Sequence, residues 1–354
     1  MAKTAMCLTA MTAAAPCLDP ALIITRWNTP PGMKPSAKPV TWYLNIKPQK
    51  DKVKKVFQLI IFISLLPCGG RLLAQQQQIF SYSQYADNLI PVNPAYSLVD
   101  KAGSINLMGK KQFVGIDGAP TSLMFSGSLP IESIGSSAGI FVLNDQVAIE
   151  KQLEVNAFFA KSIQLSANDY LAVSLNAGIR NYNANYSSLD AYDPQFRDDV
   201  RETSPNLGFG IMFYSSKYYL GFSLPELTIR SLGTASVQQA NYLKNHYYFT
   251  GAYLATLSDD VKFKPSTLVS YVKGSDILAD ITGTFYLKEQ IGLGANYRTN
   301  KRGSGIVSII GDNYKIGYAY QFGTSSNNLG GFNAVVHEVS LGYRFGKTSE
   351  RKLL

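Results

Sequence analysis

The chain has few residues whose types and spacing suit acid–base, nucleophilic or metal-assisted chemistry. Its only two histidines, His246 and His337, lie far apart and form no two-histidine metal spacing. His337 precedes Glu338 and Ser340, the nearest approach to a catalytic set, but neighbouring residues of a strand point to opposite faces. His337 therefore cannot pair in place with Glu338, and we expect a non-enzymatic protein without a cofactor.

One stretch is rich in acidic side chains and could bind calcium. Its members are Asp190, Asp193, Asp198, Asp199 and Glu202. They lack the alternating ligand spacing of a calcium loop. Arg197 and Arg201 also neutralise part of their charge. We therefore interpret the stretch as a solvated loop and expect no metal site.

Charge and cysteine divide the chain near residue 74. The whole sequence has 33 Lys and Arg against 24 Asp and Glu, but residues 1–74 contain ten of the basic residues and only two of the acidic ones. All three cysteines also precede residue 75. The remainder is nearly neutral and free of cysteine, which argues against nucleic-acid binding, disulfides and thiol chemistry there.

Residues 51–74 have the features of a secretory signal peptide, with lysines before an apolar run and a small residue at Ala74. The apolar run, about 11 residues, is too short for a membrane-spanning helix, which needs about 20. We predict cleavage between Ala74 and Gln75. Because a signal peptide normally begins a protein, we interpret residues 1–50 as the result of a start site assigned too early, or as a disordered leader. Translation would then begin near Val53.

Beyond Gln75 the sequence alternates between apolar and small or polar residues with a period of two, which is typical of β-strands. The clearest case is 314–322, where Tyr, Ile and Phe alternate with Lys, Gly, Ala and Gln. We predict 14 such strands, at 103–114, 121–130, 136–144, 150–162, 170–181, 205–214, 217–224, 245–256, 261–273, 278–286, 290–299, 303–311, 314–322 and 335–346.

The connectors between these strands indicate a membrane barrel. Short connectors follow even-numbered strands, and the three longest follow odd-numbered strands, at about 182–204, 225–244 and 323–334. Bacterial outer-membrane barrels sort their short periplasmic turns and long surface loops in this way. We therefore predict an all-β, transmembrane antiparallel β-barrel over 103–346. The N-terminal segment 75–102 and the C-terminal tail 347–354 are both expected to face the periplasm.

The residues on the two faces of the strands indicate lipid on one side of the sheet and the barrel lumen on the other. The apolar face should contact outer-membrane lipid, with aromatic girdles at its two edges. The predicted girdle residues are Tyr247, Tyr248, Tyr297, Tyr318, Tyr320, Tyr343 and Phe345. The other face is mostly Gly, Ser, Ala and Asn, and 14 strands enclose more volume than these side chains fill. Either a water-filled lumen or an inserted segment or partner is expected.

Short motifs along the chain resemble, in their order, the PorP/SprF family of the type IX secretion system and its linked gliding machinery. They lie in the stretches 80–96, 110–121, 144–145, 263–266, 297–298, 317–320 and 337–341. The positions that carry the resemblance are Asn93, Pro94, Ala95, Tyr96, Gly115, Pro120, Pro265, Tyr297, Arg298, Gly317, Tyr318, Tyr320, His337 and Glu338.

The resemblance implies a barrel in the outer membrane of a Gram-negative bacterium, without catalytic residues. It implies association with secretion-machinery proteins and periplasmic lipoproteins, and assistance in the export or surface attachment of partners such as large adhesins. The alternation of residues alone supports a diffusion porin or a hydrophobic-compound channel equally well. The exported client, the oligomeric state and the subfamily are not readable from the residues.

Overall fold

The computed structural model describes residues 81–188, 198–228, 245–273, 275–323, 335–346 and 353–354. The chain divides into two units, 1–72 and 73–354, and every described residue belongs to the second. The predicted leader, signal peptide and cleavage site between Ala74 and Gln75 therefore lie outside the described residues and stay predictions. The same holds for most of the tail, 347–352.

The described chain forms one antiparallel sheet that closes on itself. Its strands are β1 Gly103–Gln112, β2 Thr121–Ile131, β3 Ser136–Val147, β4 Glu150–Gln164, β5 Tyr170–Ala184, β6 Val200–Tyr214, β7 Tyr218–Thr228, β8 His246–Tyr253, β9 Ala255–Thr256, β10 Val261–Val272, β11 Leu278–Leu287, β12 Ile291–Arg298, β13 Arg302–Ile310, β14 Tyr314–Gly323 and β15 Val336–Phe345. Strand β9 continues β8 after an interruption at Leu254. Strands β8 and β9 both pair with β10, every other strand pairs with its neighbours in sequence, and β15 pairs with β1. The prediction of a 14-stranded barrel is confirmed.

The largest boundary difference is in the hairpin of β5 and β6. Strand β6 begins at Val200 rather than at residue 205, and it pairs with β5 up to Ala184. The additional part of the hairpin contains pairs such as Tyr182 with Glu202. Its outward residues need no apolar character because they rise beyond the lipid, so the hydrophobic pattern ends before the hydrogen-bonded ladder does.

The barrel has two ends that differ in their connectors. One end, here called the turn end, carries the start of β1, the end of β15 and six connectors of at most five residues: 132–135, 165–169, 215–217, 257–260, 288–290 and 311–313. The opposite end, the loop end, carries the three longest connectors, 185–199, 229–245 and 324–335. Short turns face the periplasm in bacterial barrels, so we predict that the turn end faces the periplasm.

The outward face is an apolar surface, as its alternation predicts. Tyr314, Ile316, Tyr318, Tyr320 and Phe322 are each 41–52% exposed on β14, whereas the intervening Ala319 and Gln321 are buried in the lumen. Among the described residues, no helix is long and apolar enough to cross a membrane.

The prediction that Tyr248 belongs to an outward girdle is wrong. Its side chain points into the lumen and is 5% exposed, because its neighbours Tyr247 and Phe249 occupy the outward-facing parity of β8. The lumen wall is also more aromatic than expected. Besides the predicted small residues, it presents Tyr182, Tyr214, Tyr219, Tyr248 and Tyr286.

The plugged lumen as candidate functional site

Residues 81–100, here called the plug, run through the inside of the barrel. The plug contains two short 3-10 helices, Tyr85–Asp87 and Pro94–Leu98. Tyr85, Leu89, Asn93 and Ala95 are completely buried. The plug belongs to one apolar cluster with the wall residues Tyr214, Tyr219, Tyr248 and Tyr286. The sequence left open whether the lumen is empty or filled, and the structure fills it with the chain's own segment.

The position of the plug differs from the expectation that segment 75–102 faces the periplasm. Its first described residues, Ser81 to Gln84, contact wall residues near the loop end, and Asp100 contacts Arg344 at the turn end. Residues 81–100 therefore pass along the lumen before β1 begins. The apolar residues among them favour this place because the lumen offers aromatic partners that water does not.

The loop-end anchor of the plug is the carboxylate of Glu338 on β15. It accepts the backbone N–H of Ser83 at 3.0 and 2.8 Å. The Ser83 hydroxyl also lies 2.8 Å from the Ser304 hydroxyl on β13. On β1, the ammonium group of Lys110 donates to the carbonyl oxygen of Ser81 at 2.7 Å. Three strands therefore hold Ser81 and Ser83 in the buried interior.

The middle of the plug contacts opposite walls. The side-chain amide of Asn88 donates to the Ser126 hydroxyl on β2 at 3.0 Å. Across the lumen, the Tyr85 hydroxyl lies 3.4 Å from the Ser266 hydroxyl on β10 and 3.3 Å from the carbonyl oxygen of Asp280. Because these contacts reach both sides of the barrel, the plug bridges the cross-section of the lumen.

Asn93 fixes the second helix of the plug. Its side-chain oxygen caps that helix by accepting the N–H of Ala95 at 3.2 Å. Its side-chain NH₂ group donates to the carbonyl oxygens of Ile211 and Phe222 at 3.1 and 3.4 Å. These two residues are paired across β6 and β7.

Two glycines of the wall make room for the Asn93 side chain. A Cβ atom at Gly210 or at Gly221 would lie less than 3.0 Å from the Asn93 amide. Both positions are therefore glycine because the Asn93 side chain occupies the space that a wall side chain would need there. No glycine signal in the sequence indicates this, since the partner lies over a hundred residues away.

Charged pairs hold the plug at the turn end. The Lys315 ammonium lies 2.6 Å from the Asp87 carboxylate, and Arg344 lies 2.5 Å from Asp100. These pairs are partly exposed, so solvent screens them and each stabilises the plug only weakly. Lys264, which is buried, donates to the carbonyl oxygen of Ala86 at 2.7 Å.

Further charges inside the lumen belong to the wall itself. Arg180 contacts both Glu154, at 3.2 Å, and Glu226, which in turn lies 2.8 Å from the Nδ1 atom of His246. On the other side, Arg298 lies 2.8 Å from Asp280. These buried charges have opposite partners, whereas Lys110, Lys264 and Glu338 have hydrogen bonds to the plug instead.

The predicted motif positions fall into groups that the structure separates. Inside the lumen, Asn93, Pro94, Ala95 and Tyr96 belong to the plug, Gly317 and Glu338 contact it, and Arg298 pairs with Asp280 of the wall. On the outside lie Pro265, Tyr297, Tyr318, Tyr320 and His337. Gly115 and Pro120 lie in the connector between β1 and β2, where Gly115 has a left-handed φ of 96°. The motif is therefore not one site.

The sequence analysis did not predict Lys264 and Asn88 as contacts between the wall and the plug. The only sign of Lys264 was a charged residue at an inward strand position. The only sign of Asn88 was a polar residue within an apolar segment.

The candidate catalytic residues are engaged in structural contacts. The Nδ1 atom of His337 lies 2.8 Å from the Tyr318 hydroxyl on the outward face, whereas Glu338 points inward to the plug. In the acidic loop, hydrogen bonds from the Ser187 hydroxyl and N–H lower the pKa of Asp199. Asp190 and Asp193 lie outside the described residues. The described residues contain no group of three or more His, Cys, Asp or Glu that could hold a metal ion.

Comparison with solved structures finds barrels at low similarity. The "TodX monoaromatic hydrocarbon channel deltaS2 mutant" is 10% identical with a TM-score of 0.43, over 73% of this chain and 94% of that one. Omp33 of Acinetobacter baumannii is 8% identical with a TM-score of 0.40, over 70% and 100%. BamA of Haemophilus ducreyi lacking POTRA domains 1–3 is 9% identical with a TM-score of 0.39, over 69% and 70%.

No curated protein matches the sequence. A protein-family model does match, over residues 74–343, and its description is "Type IX secretion system membrane protein PorP/SprF". This range includes all described strands except the last two residues of β15, and it includes the entire plug. The chain belongs to the PorP/SprF family of type IX secretion system membrane proteins, as a barrel of the Gram-negative outer membrane.

Proposed function

We propose that this protein is a non-enzymatic component of the type IX secretion apparatus that assists the export or surface attachment of partner proteins such as adhesins. It would do so together with other machinery proteins and periplasmic lipoproteins. The family match supports the apparatus. The observation that carries the role is the plug, because a barrel closed by its own segment is suited to support other proteins rather than to pass small solutes.

The contacts of the plug support a lumen that is filled in the absence of a partner. Ser83, Asn88 and Asn93 are each bonded to a different part of the wall, on β15, on β2 and on the pair β6 and β7. A diffusion porin needs a continuous aqueous path instead. An opening of the plug would break several buried hydrogen bonds at once, and each such bond costs about 1 kcal/mol.

The state of the histidines supports a non-enzymatic role. A general base needs a free ring nitrogen within reach of a nucleophile. The Nδ1 atom of His246 contacts Glu226 and that of His337 contacts a tyrosine hydroxyl on the outward surface, so in each ring Nε2 is the nitrogen that a nucleophile would have to reach. Neither histidine is paired with a serine in the described part of the chain.

The test is a deletion of the gene in a bacterium that carries the apparatus. We expect the surface level of at least one exported adhesin, measured by antibody labelling of intact cells, to fall while its intracellular level rises. Wild-type protein supplied from a plasmid should restore display. It should also co-purify with machinery proteins, and the level of an unrelated outer-membrane barrel serves as the control for general membrane damage.

The porin alternative makes the opposite forecast. Normal adhesin display in the deletion strain, together with a large and steady ion current through the purified barrel in a planar bilayer, would reject the proposed role. A closed barrel with lost adhesin display supports it.

A further inference from the structure

The last two residues of the chain return to the turn end of the lumen. Leu353 and Leu354 are each 3% exposed and belong to the same apolar cluster as the plug residues Tyr85, Leu89 and Leu98. A cavity of about 80 Å³ at this end is lined by both leucines together with plug and wall residues. The two leucines therefore pack under the plug rather than extending away from the barrel.

Polar contacts fix this arrangement. The main-chain oxygen of Leu354 accepts the Tyr96 hydroxyl at 2.6 Å and the Lys264 ammonium at 3.0 Å. The same ammonium donates to the carbonyl oxygen of Ala86 in the plug. One side chain on β10 thereby joins the wall, the plug and the end of the chain.

The need for these acceptors is strong because Lys264 is only 2% exposed. A buried ammonium group without hydrogen-bond acceptors is costly. If Leu354 leaves, the described contacts leave Lys264 with only the oxygen of Ala86. The partly exposed pairs of Asp87 and Asp100 are then the remaining charged contacts of this half of the plug.

We propose that Leu353 and Leu354 form a latch that holds the turn-end half of the plug in the lumen. Displacement of the two leucines loosens residues 86–99, while the loop-end anchor at Glu338 stays in place. A partner that approaches from the turn end and takes up the two leucines in an apolar groove releases this half of the plug. The latch concerns the plug alone and does not depend on the proposed secretion role.

The test is hydrogen exchange, measured by mass spectrometry on the full-length purified protein. In the double variant L353D/L354D, the added charges cannot stay in the apolar cluster. We expect the amides of residues 86–99 to exchange about tenfold faster or more, since local opening determines exchange. The amides of residues 82–84 and of the strands should keep their wild-type rates. The milder L353A/L354A should shift the same amides by less.

A matched pair of variants separates the latch from general effects of charge removal. K264M removes the ammonium that joins Leu354 to Ala86 and should speed exchange in the same amides. K262M makes the same substitution two residues away on β10, where Lys262 pairs with Glu289 rather than with the plug. It should leave the plug unchanged. Unaltered exchange of 86–99 in L353D/L354D, or an equal increase across the whole barrel, overturns the proposal.

Discussion

Asn93 offers the sharpest test of the plug, because one side chain has three separate hydrogen bonds. Replacement by alanine removes the cap on Ala95 and both bonds to the carbonyl oxygens of Ile211 and Phe222. Replacement by serine keeps a capping oxygen, but its shorter side chain cannot reach the wall. The two variants therefore divide the contribution of Asn93 between the helix cap and the barrel contacts.

The size of the effect follows from the bond types. Loss of a helix cap costs about 1 kcal/mol, and each buried hydrogen bond contributes about 0.5–1.5 kcal/mol. Because the bond to Phe222 is long, we take the total for N93A as about 2–3 kcal/mol. A displaced plug should then be roughly 30 to 150 times more populated than in the wild type. N93S should lose about 1–2 kcal/mol.

The assay is hydrogen exchange of residues 88–98 in the full-length protein, combined with current recordings in a planar bilayer. We expect faster exchange in the order wild type, N93S, N93A, and rare brief openings in N93A. The strands should exchange as in the wild type. Equal exchange of this segment in all three proteins would refute the reasoning, as would an increase that begins in β6 and β7.

Gly210 provides an independent check on the same contact. In G210A the new methyl group would lie less than 3.0 Å from the Asn93 oxygen and also from the Ser174 hydroxyl. G210A alone should therefore loosen the plug, but in the N93A background the clash with Asn93 disappears. We expect the double variant to be less damaged than the sum of the single variants, by about 0.5–3 kcal/mol. Strict additivity would mean that the two residues do not meet.

The remaining predictions concern the barrel wall, the loop-end anchor and processing. Leu175 points outward and is 66% exposed, so L175K should destabilise the barrel folded in lipid vesicles by about 2–4 kcal/mol. L165K, in a connector at the turn end, should destabilise it by only about 0–1 kcal/mol. Equal effects of the two substitutions would place Leu175 outside the lipid. E338Q keeps one acceptor oxygen but removes the negative charge of the carboxylate, whose two oxygens both accept the Ser83 N–H. Hydrogen exchange of the amides near residue 83 should therefore become about fivefold faster or more. An unchanged exchange rate would contradict the anchoring role of Glu338. N-terminal sequencing of the mature protein should begin at Gln75, and A74D should retain the signal peptide; another first residue would disprove this cleavage site.

The sequence was sufficient for the barrel because the lipid-facing surface is a local requirement. Every second residue of a strand meets hydrocarbon, so the pattern at 314–322 is visible without knowledge of any other strand. The strand limits were less readable where the hairpin of β5 and β6 rises above the lipid. There the backbone pairing continues between polar residues that carry no pattern.

The plug was not readable for the opposite reason. Its residues have no periodicity, and its partners come from distant strands: Ser83 meets Glu338, and Asn93 meets Gly210. The sequence showed that the lumen has room for an inserted segment, but it placed segment 75–102 in the periplasm. The order of short and long connectors gives the end of the barrel at which β1 starts. It contains no information about the path of the chain before that strand.

The sequence by itself therefore determined the class of fold, the number of strands, the family and the separation of a basic, cysteine-containing N-terminal stretch from a nearly neutral barrel. Each of these depends on residue types in order along the chain. Only the tertiary structure decided that the lumen is filled, that Tyr248 faces inward, and that Leu353 and Leu354 lie beneath the plug. These features depend on which side chains meet inside a closed sheet, and closure brings together residues that the sequence keeps more than two hundred positions apart.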